Sequence, residues 1–431
     1  MDSIWWKNSE RPHFNFLGGD TETEVLIVGG GIAGILTAYM LGKANIPYIL
    51  VEANKICSGI TKNTTAKITL GHGFIYSKLI SRFGADAAKL YYDAQCEALS
   101  EYEKLCSAIP SDYEKTDAYV YSFEKRLLED ELNAITRLKI NADFSKAEEL
   151  PFEASGAVHY PGQAQFNPLK FLFGISAGLK IYEDTKVLEF LPDCAITNRG
   201  KIKFKKAIVA THFPILNKHG AYFLKMYQHR SYVIALTGAE KINGAYVDQS
   251  DKGLSFRSYG DKLLIGGGDH RTGKRGGGWA ELEAFAKRYY KNAKIIARWA
   301  TQDCMTLDGI PYIGRYSKNA ENIYVATGFN KWGMSSAMLS ARLLCDMISG
   351  KKNEYEALFN PSRSILHPQL AVNIAESLFG FLTPGKPRCP HLGCALKYNK
   401  AERSWDCPCH GSRFTEDGEL IDNPATDGKK I

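Results

Sequence analysis

An α/β fold is what this sequence predicts, and three observations predict it. A β-branched run, a glycine-rich turn, an apolar helix and a second β-branched run succeed one another between residues 24 and 52. Further strand-like runs then alternate with helical stretches as far as residue 350. Beyond a proline-punctuated linker, a short tail concentrates cysteine and histidine and stands apart from that body.

Along the chain, Glu24-Val25-Leu26-Ile27-Val28 reads as a strand, the glycines as a tight turn, Ala33 to Lys43 as a helix and Tyr48-Ile49-Leu50-Val51 as the next strand, one βαβ unit. Helical spacing of Ala, Leu, Glu and Tyr predicts a helix over 84–108, and a more charged one is predicted over 123–138. β-branched runs predict strands over 180–190, 201–210, 232–236 and 262–265. A last strand over 322–326 precedes Gly328 and a helix over 335–348. Pro361, Pro368, Pro384 and Pro387 punctuate the chain after that helix, so 351–383 reads as a linker with one short helix over 370–379, and 384–431 as the tail.

Composition narrows the function classes. The 54 basic and 47 acidic residues are mixed along the chain, and a formal charge of +7 on 431 residues gives nucleic-acid binding little support. The densest basic spot, His270 to Arg275, runs into three glycines and reads as a solvated loop. The first residues are charged and polar with no apolar core of a secretory signal, and no run of 18 apolar residues exists, so the expectation is a cytoplasmic protein without a membrane span. Of the 10 cysteines, Cys57, Cys96, Cys106, Cys194, Cys304 and Cys345 are scattered and read as reduced thiols. Cys389, Cys394, Cys407 and Cys409 crowd together with His391 and His410 and need a chemical reason.

Gly29-x-Gly31-x-x-Gly34 comes directly after a strand and opens a helix, with Glu52 at the end of the next strand. The first glycine permits the turn, the second lets a pyrophosphate approach the backbone, and the third lets helix and strand pack. The helix N-terminus adds positive partial charge, and Glu52 would accept hydrogen bonds from a ribose and repel a 2′-phosphate. A dinucleotide site of the FAD or NAD kind is the reading, and the motif does not separate the two.

The stretches EVLIVGGGIAGILTAYML, SGITKNTTAKITLGHG, LLIGGGDH, LDGIPYIGR and VATGFNKWGMSSAM lie within residues 1 to 350. On these the chain resembles the D-amino-acid oxidase-like FAD oxidoreductases, which include glycine oxidase and sarcosine oxidase relatives and gamma-glutamylputrescine oxidoreductases. The resemblance implies FAD, with its pyrophosphate on Gly29, Gly31 and Gly34, its ribose on Glu52, Thr64 and Thr65 near the flavin, and the adenine near Val187. Gly328, Gly333 and Met334 would lie against the isoalloxazine ring. It also implies a Rossmann-like FAD-binding domain built from segments 20–75, 150–215 and 300–350, with an inserted antiparallel-sheet substrate domain from 76–149 and 216–299.

The tail reads Cys389-Pro390-His391-Leu392-Gly393-Cys394 and, after a spacer, Cys407-Pro408-Cys409-His410-Gly411-Ser412. Paired thiolates and imidazoles of this kind could hold a structural zinc. The strings CPHLGC and CPCHGS are similar to Rieske domains. That likeness implies a [2Fe-2S] cluster with Cys389 and Cys407 on one iron, His391 and His410 on the other, and a disulfide between Cys394 and Cys409. Ser412 would then donate to a sulfur, and Phe414 stands where high-potential members carry a tyrosine. Few strands precede the first ligand pair, so the scaffold of this truncated Rieske-type β tail is expected to be the body of the chain or a partner subunit.

For the reacting site, position within the family-like stretches selects His270, Arg257, Lys331 and Trp332 as catalytic candidates. Sarcosine-oxidase-like members place a lysine for the substrate carboxylate where this chain has Ser335. The implied activity is oxidation of a C–N bond in a small amine or amino acid by hydride transfer to non-covalently held flavin. Electrons would then leave one at a time through the cluster to a carrier protein. A reductase running in the opposite direction, and a plain oxidase with a zinc tail, remain open.

Overall fold

The computed structural model describes residues 2–7, 9–216, 220–250, 253–384 and 387–428. Among them three sheets organise the chain. The first is centred on the strand Thr21–Val28, whose inner half, Val25 to Ile27, is fully buried. It pairs in parallel with Tyr48–Val51 on one side and Gly200–Val209 on the other, and the latter pairs in parallel with Ile323–Thr327. Strands buried on both faces need helices above and below. The helix Ile32–Lys43 supplies one such layer and packs against the helix Gly333–Ile348. A Cβ on Gly34 would collide with the carbonyl of Gly29, which explains why the third motif position must be glycine.

The second sheet runs in the order Lys294–Thr306, Met226–Thr237, Lys262–Arg271, Ser255–Tyr259, Gly244–Asp248, Glu114–Ser122, Gly156–Gln165 and Lys67–Ile68. All these pairings are antiparallel except that of Gly244–Asp248 with Glu114–Ser122. The sheet draws strands from segments expected in the other domain: Lys67–Ile68, Gly156–Gln165 and the second half of Lys294–Thr306. Sheet membership is set by pairing across long sequence separations, which local pattern does not reveal.

The helices Ala85–Ala108 and Lys125–Leu138 stand where periodicity puts them, while Ile75–Phe83, Pro168–Ser176 and Gly278–Tyr289 are additional. The run over 180–190 is two strands, Ile181–Tyr182 and Val187–Phe190. Between them Glu183 turns inward to accept the Ile56 N–H at 2.8 Å, and Asp184 takes φ +48°. The linker helix is longer than expected, Pro368–Leu382, with proline in its first turn and the His367 ring accepting from the Gln369 N–H at 3.0 Å.

The tail forms its own antiparallel sheet, Lys397–Asn399, Ser404–Asp406, Arg413–Thr415 and Leu420–Asp422. Its remaining scaffold is the body. The loop after Lys262–Arg271, expected to be solvated, is a docking surface: Arg271 donates to the carbonyls of Pro408 and Cys409, Thr272 is buried and Lys274 pairs with Glu376 at 2.6 Å. A Cβ on Gly273 would meet Pro408, so that glycine sets the closeness of approach. Basic composition alone does not distinguish a free loop from one whose cations meet carbonyls and a carboxylate of a distant segment.

Candidate functional site

A cavity of about 550 Å³ opens where the first sheet's strand ends meet the second sheet. Gly29 and Gly31 line it, and Gly31 caps the helix Ile32–Lys43, so the helix N-terminus faces the space. Gly29 adopts φ +113°, and a Cβ there would strike the carbonyl of Ala210. The cradle is therefore bare backbone shaped for an anion, as a pyrophosphate requires. Glu52 lines the same space, its carboxylate accepting from the Gly30 N–H at 2.7 Å and the Asn54 N–H at 2.9 Å, while burial raises its pKa.

Thr64, Thr65, Val187, Gly328, Gly333 and Met334 all lie on the cavity wall, as do Lys331 and Trp332. His270 and Arg257 do not. His270 points to the opposite face of its strand from Asp269, which does reach the cavity, because side chains alternate along a strand. The guanidinium of Arg257 lies behind the loop 58–66, donating to the carbonyls of Thr65 and Ala66. Burial lowers its pKa to about 9.

Several wall residues were not among the sequence candidates. Lys67 donates to Thr65 Oγ1 at 3.1 Å, and burial, then the Arg257 charge, bring it to about 7. His72 is held between the Tyr91 hydroxyl at 2.7 Å and Ser335 Oγ at 3.0 Å and stacks on Trp332 at 4.8 Å. Burial depresses it to about 3, so the ring is neutral. Ser335 thus supports a histidine from behind. His72 sits inside the family-like stretch from Ser58 to Gly73, and only its contact with a residue far along the chain marks it.

Cys304 also lines the cavity, with its thiol pushed well up by burial and 3.6 Å from His212 Nδ1. A thiol so far from ionised is a poor nucleophile. Cold acid precipitation is therefore expected to leave the FAD in the supernatant; flavin absorbance retained in the washed pellet would contradict this.

In the tail, Cys389 and Cys407 are free, buried thiols, and Cys394 and Cys409 form a disulfide. The sulfurs of Cys394, Cys407 and Cys409 lie within 4.8 Å of one another, but the disulfide removes two of them as ligands. The rings of His391 and His410 approach to 5.1 Å, nearly perpendicular. Burial lowers His391 to about 4 and His410 to about 3, so both imidazoles are neutral, the form that binds metal. His410 Nδ1 is buried without a hydrogen-bond partner among the described residues. The Cys389 thiol is held down to about 7 by its hydrogen bond with Cys407, against burial, with help from the His391 N–H and the Ser412 hydroxyl. Two soft sulfurs, two neutral imidazoles and an orphaned ring nitrogen fit a Rieske-type cluster.

One layer of sheet separates the two sites. Along Met226–Thr237, Gln228 donates to the carbonyls of His410 at 3.0 Å and Asn423 at 2.7 Å, and Arg230 and Tyr232 bind Glu402. On the neighbouring strand Gln302 donates to the Gly411 carbonyl at 2.9 Å. The intervening positions Ser231, Val233, Thr301 and Asp303 line the cavity. The tail also wraps round to wall that cavity with Leu420 to Asn423, Ala425 and Thr426. Asn423 donates to the carbonyls of Thr211 and Phe213, each at 2.7 Å. Asn423→Ala is expected to cost about 1–3 kcal/mol of docking, read as a lower temperature at which FAD fluorescence appears on heating. An unchanged release temperature would show that the tail does not help to close the cavity.

Residues 24–347 match the model of the FAD dependent oxidoreductase family, and residues 380–430 that of the Rieske [2Fe-2S] domain. YhfW of Bacillus subtilis (strain 168), which carries a Rieske 2Fe-2S iron-sulfur protein name, is 35% identical over 98% of this chain and 96% of its own length. The gamma-glutamylputrescine oxidoreductase of Escherichia coli (strain K12) is 22% identical over 80% of this chain and 88% of its own. In fold, glycine oxidase from Geobacillus kaustophilus superposes with a TM-score of 0.67 at 18% identity, over 80% of this chain and 99% of that one. L-proline dehydrogenase from P. horikoshii gives 0.68 at 18% identity, over 80% and 98%.

Proposed function

Because the chain belongs to the FAD dependent oxidoreductase family and ends in a Rieske [2Fe-2S] domain, we propose that it is a dehydrogenase. It would oxidise a C–N bond of a small amine or amino acid and deliver the electrons through its tail to an external one-electron carrier. Bound FAD would supply an acceptor for a hydride, and the cluster a one-electron exit. The protein's own residues do the rest. The backbone of Gly29 and Gly31 and the helix behind it would hold the pyrophosphate. His72, fixed by Tyr91 and Ser335, sets the plane of Trp332, and Asp269 fixes Lys331 on the wall.

The observation that carries this reading is the shared sheet, with the cavity on one face and the cluster loops on the other. A place for the carrier is supported by the linker helix. It touches the second ligand loop through Ser377, 3.4 Å from His410 Nε2, and exposes Leu378, Phe379, Phe381 and Leu382. An apolar patch of this kind is what a transient partner covers. No described helix is long and apolar enough to cross a membrane. A cytoplasmic setting is part of the proposal, supported by the free thiols along the body.

Anaerobic stopped-flow with a turning-over amine is expected to show flavin bleaching before the cluster signal changes. If the cluster signal leads, the flow runs the other way. If wild type shows no cluster reduction while Cys407→Ser turns over normally with oxygen, the relay is wrong.

A further inference from the structure

The cavity wall made by the strands Met226–Thr237, Lys262–Arg271 and Lys294–Thr306 carries two carboxylates, Asp269 and Asp303, and the adjoining loop adds one ammonium, Lys331. Lys331 pairs with one oxygen of Asp269, whose side chain is only 9% exposed. The other oxygen, Oδ1, is buried in the wall with no hydrogen-bond partner among the described residues. The hydroxyl of Ser231, on the same wall, is buried and equally unpartnered. Asp303 forms no ion pair among the described residues. Burial lifts its carboxyl to about 6, with Lys331 opposing the rise and Asp269 adding to it.

Among the described residues, two acids against one base leave this part of the wall short of a positive charge, and buried carboxylates are tolerated only when a cation or donors meet them. A further lysine of the wall, Lys67, donates to Thr65. A group that brought one positive charge and several N–H donors would satisfy Asp303, Oδ1 of Asp269 and Ser231 together. A carboxylate beside Asp269 and Asp303 would meet like charge. Arg257, the guanidinium buried nearby, donates through Nη1 to the carbonyls of Thr65 and Ala66, has Nε and Nη2 without a partner among the described residues, and lies off the wall.

We propose that the niche formed by Asp269, Asp303 and Ser231 receives the ammonium group of the substrate, so that the substrate is a cationic alkylamine without a neighbouring carboxylate and not an α-amino acid. The assignment rests on the amine-oxidising reading above and makes it specific: Asp303 sets the preference by attracting the ammonium and repelling a carboxylate attached beside it.

Butylamine and norvaline, which differ only by the carboxylate on the amine-bearing carbon, test this. Each is titrated into the FAD-loaded full-length protein under anaerobic conditions, and binding is read from the flavin difference spectrum and by calorimetry. Butylamine is expected to bind at least about tenfold more tightly than norvaline, and Asp303→Asn to weaken butylamine by at least about tenfold and erase the preference. Asp303→Glu, which keeps the charge, restores it. FAD content, measured alongside, shows that each variant is folded and loaded. Norvaline binding as tightly as butylamine to wild type, Asp303→Asn leaving butylamine unchanged, or binding of neither ligand each overturns the assignment. The two readings fail separately: a butylamine preference with no amine able to reduce the flavin would sink the redox reading and spare the niche. Reduction by norvaline without butylamine binding would do the reverse.

Discussion

Cys407→Ser is expected to yield a protein that has lost its iron and acid-labile sulfide but retains FAD at the wild-type level. Cys407 is 1% exposed in the second ligand loop, and a serine oxygen there is a hard, poorly ionised substitute for a thiolate. The effect on iron is all or nothing. The effect on FAD is the more informative half, because the tail walls the cavity proposed to hold FAD through Leu420 to Asn423. The tail is held there by contacts independent of metal: Gln228 to the carbonyls of His410 and Asn423, Gln302 to Gly411, and Arg230 to Glu402. Iron and sulfide analysis of anaerobically purified protein, with the flavin-to-protein absorbance ratio, decides it. Simultaneous loss of FAD would mean that the cluster, and not these contacts, positions the tail. One zinc per wild-type chain without labile sulfide would refute the cluster altogether.

The second large effect is expected at Arg413, buried in the tail sheet. Its guanidinium donates to Asp406 at 2.9 Å, Glu402 at 2.8 Å and Asp422 at 3.0 Å, with Ser404 Oγ at 2.9 Å. Arg413→Ala leaves three carboxylates facing one another, with Arg230 of the body as a cationic partner for Glu402 and Asp422 alone. Removing one member of a buried ionic network costs about 3–5 kcal/mol, as much as a sheet of this size can spare. The tail is expected to unfold and lose its cluster while the body stays intact. Limited proteolysis should then cut beyond residue 383 at a much higher rate. A variant with wild-type protection and a full cluster would remove the ionic network from the account of how the tail folds.

The same network sets a pH dependence. Burial alone would raise the Glu402 pKa, but Arg230 and Arg413 outweigh it and hold the group down to about 2, against an ordinary value of 4.5. A depressed carboxylate stabilises the fold fully above its ordinary value and ceases to do so as pH falls towards the depressed one. The Glu402 contribution to tail docking should therefore be constant above pH 4.5 and weaken steadily below it.

What the sequence determined by itself is the chemistry that lies within a few residues of its own motif. Gly29, Gly31, Gly34 and Glu52 form one βαβ unit, and the structure lines one cavity with Gly29, Gly31 and Glu52 while Gly34 packs the helix onto the turn. Cys389, His391, Cys407 and His410 sit in two short loops whose Cys–His spacing is itself the signal. Such features survive translation into a string because backbone geometry over a few residues is local.

Only the tertiary structure decided which side chains face the cavity and what the tail rests on. His270 and Asp269 are neighbours, and strand parity sends one to the tail side and the other to the cavity, an assignment shifted by the bulge between Arg230 and Tyr232. A single-residue slip inverts every such choice, so no local pattern fixes it. His72 acquires its role from Ser335 and Tyr91, and the Asp269–Asp303–Ser231 niche from three different strands. The loop after His270 became a docking surface only because carbonyls of the tail, more than a hundred residues on, meet it there. These are pairings between distant segments, and their energy comes from burial and charge that exist only once the segments have met.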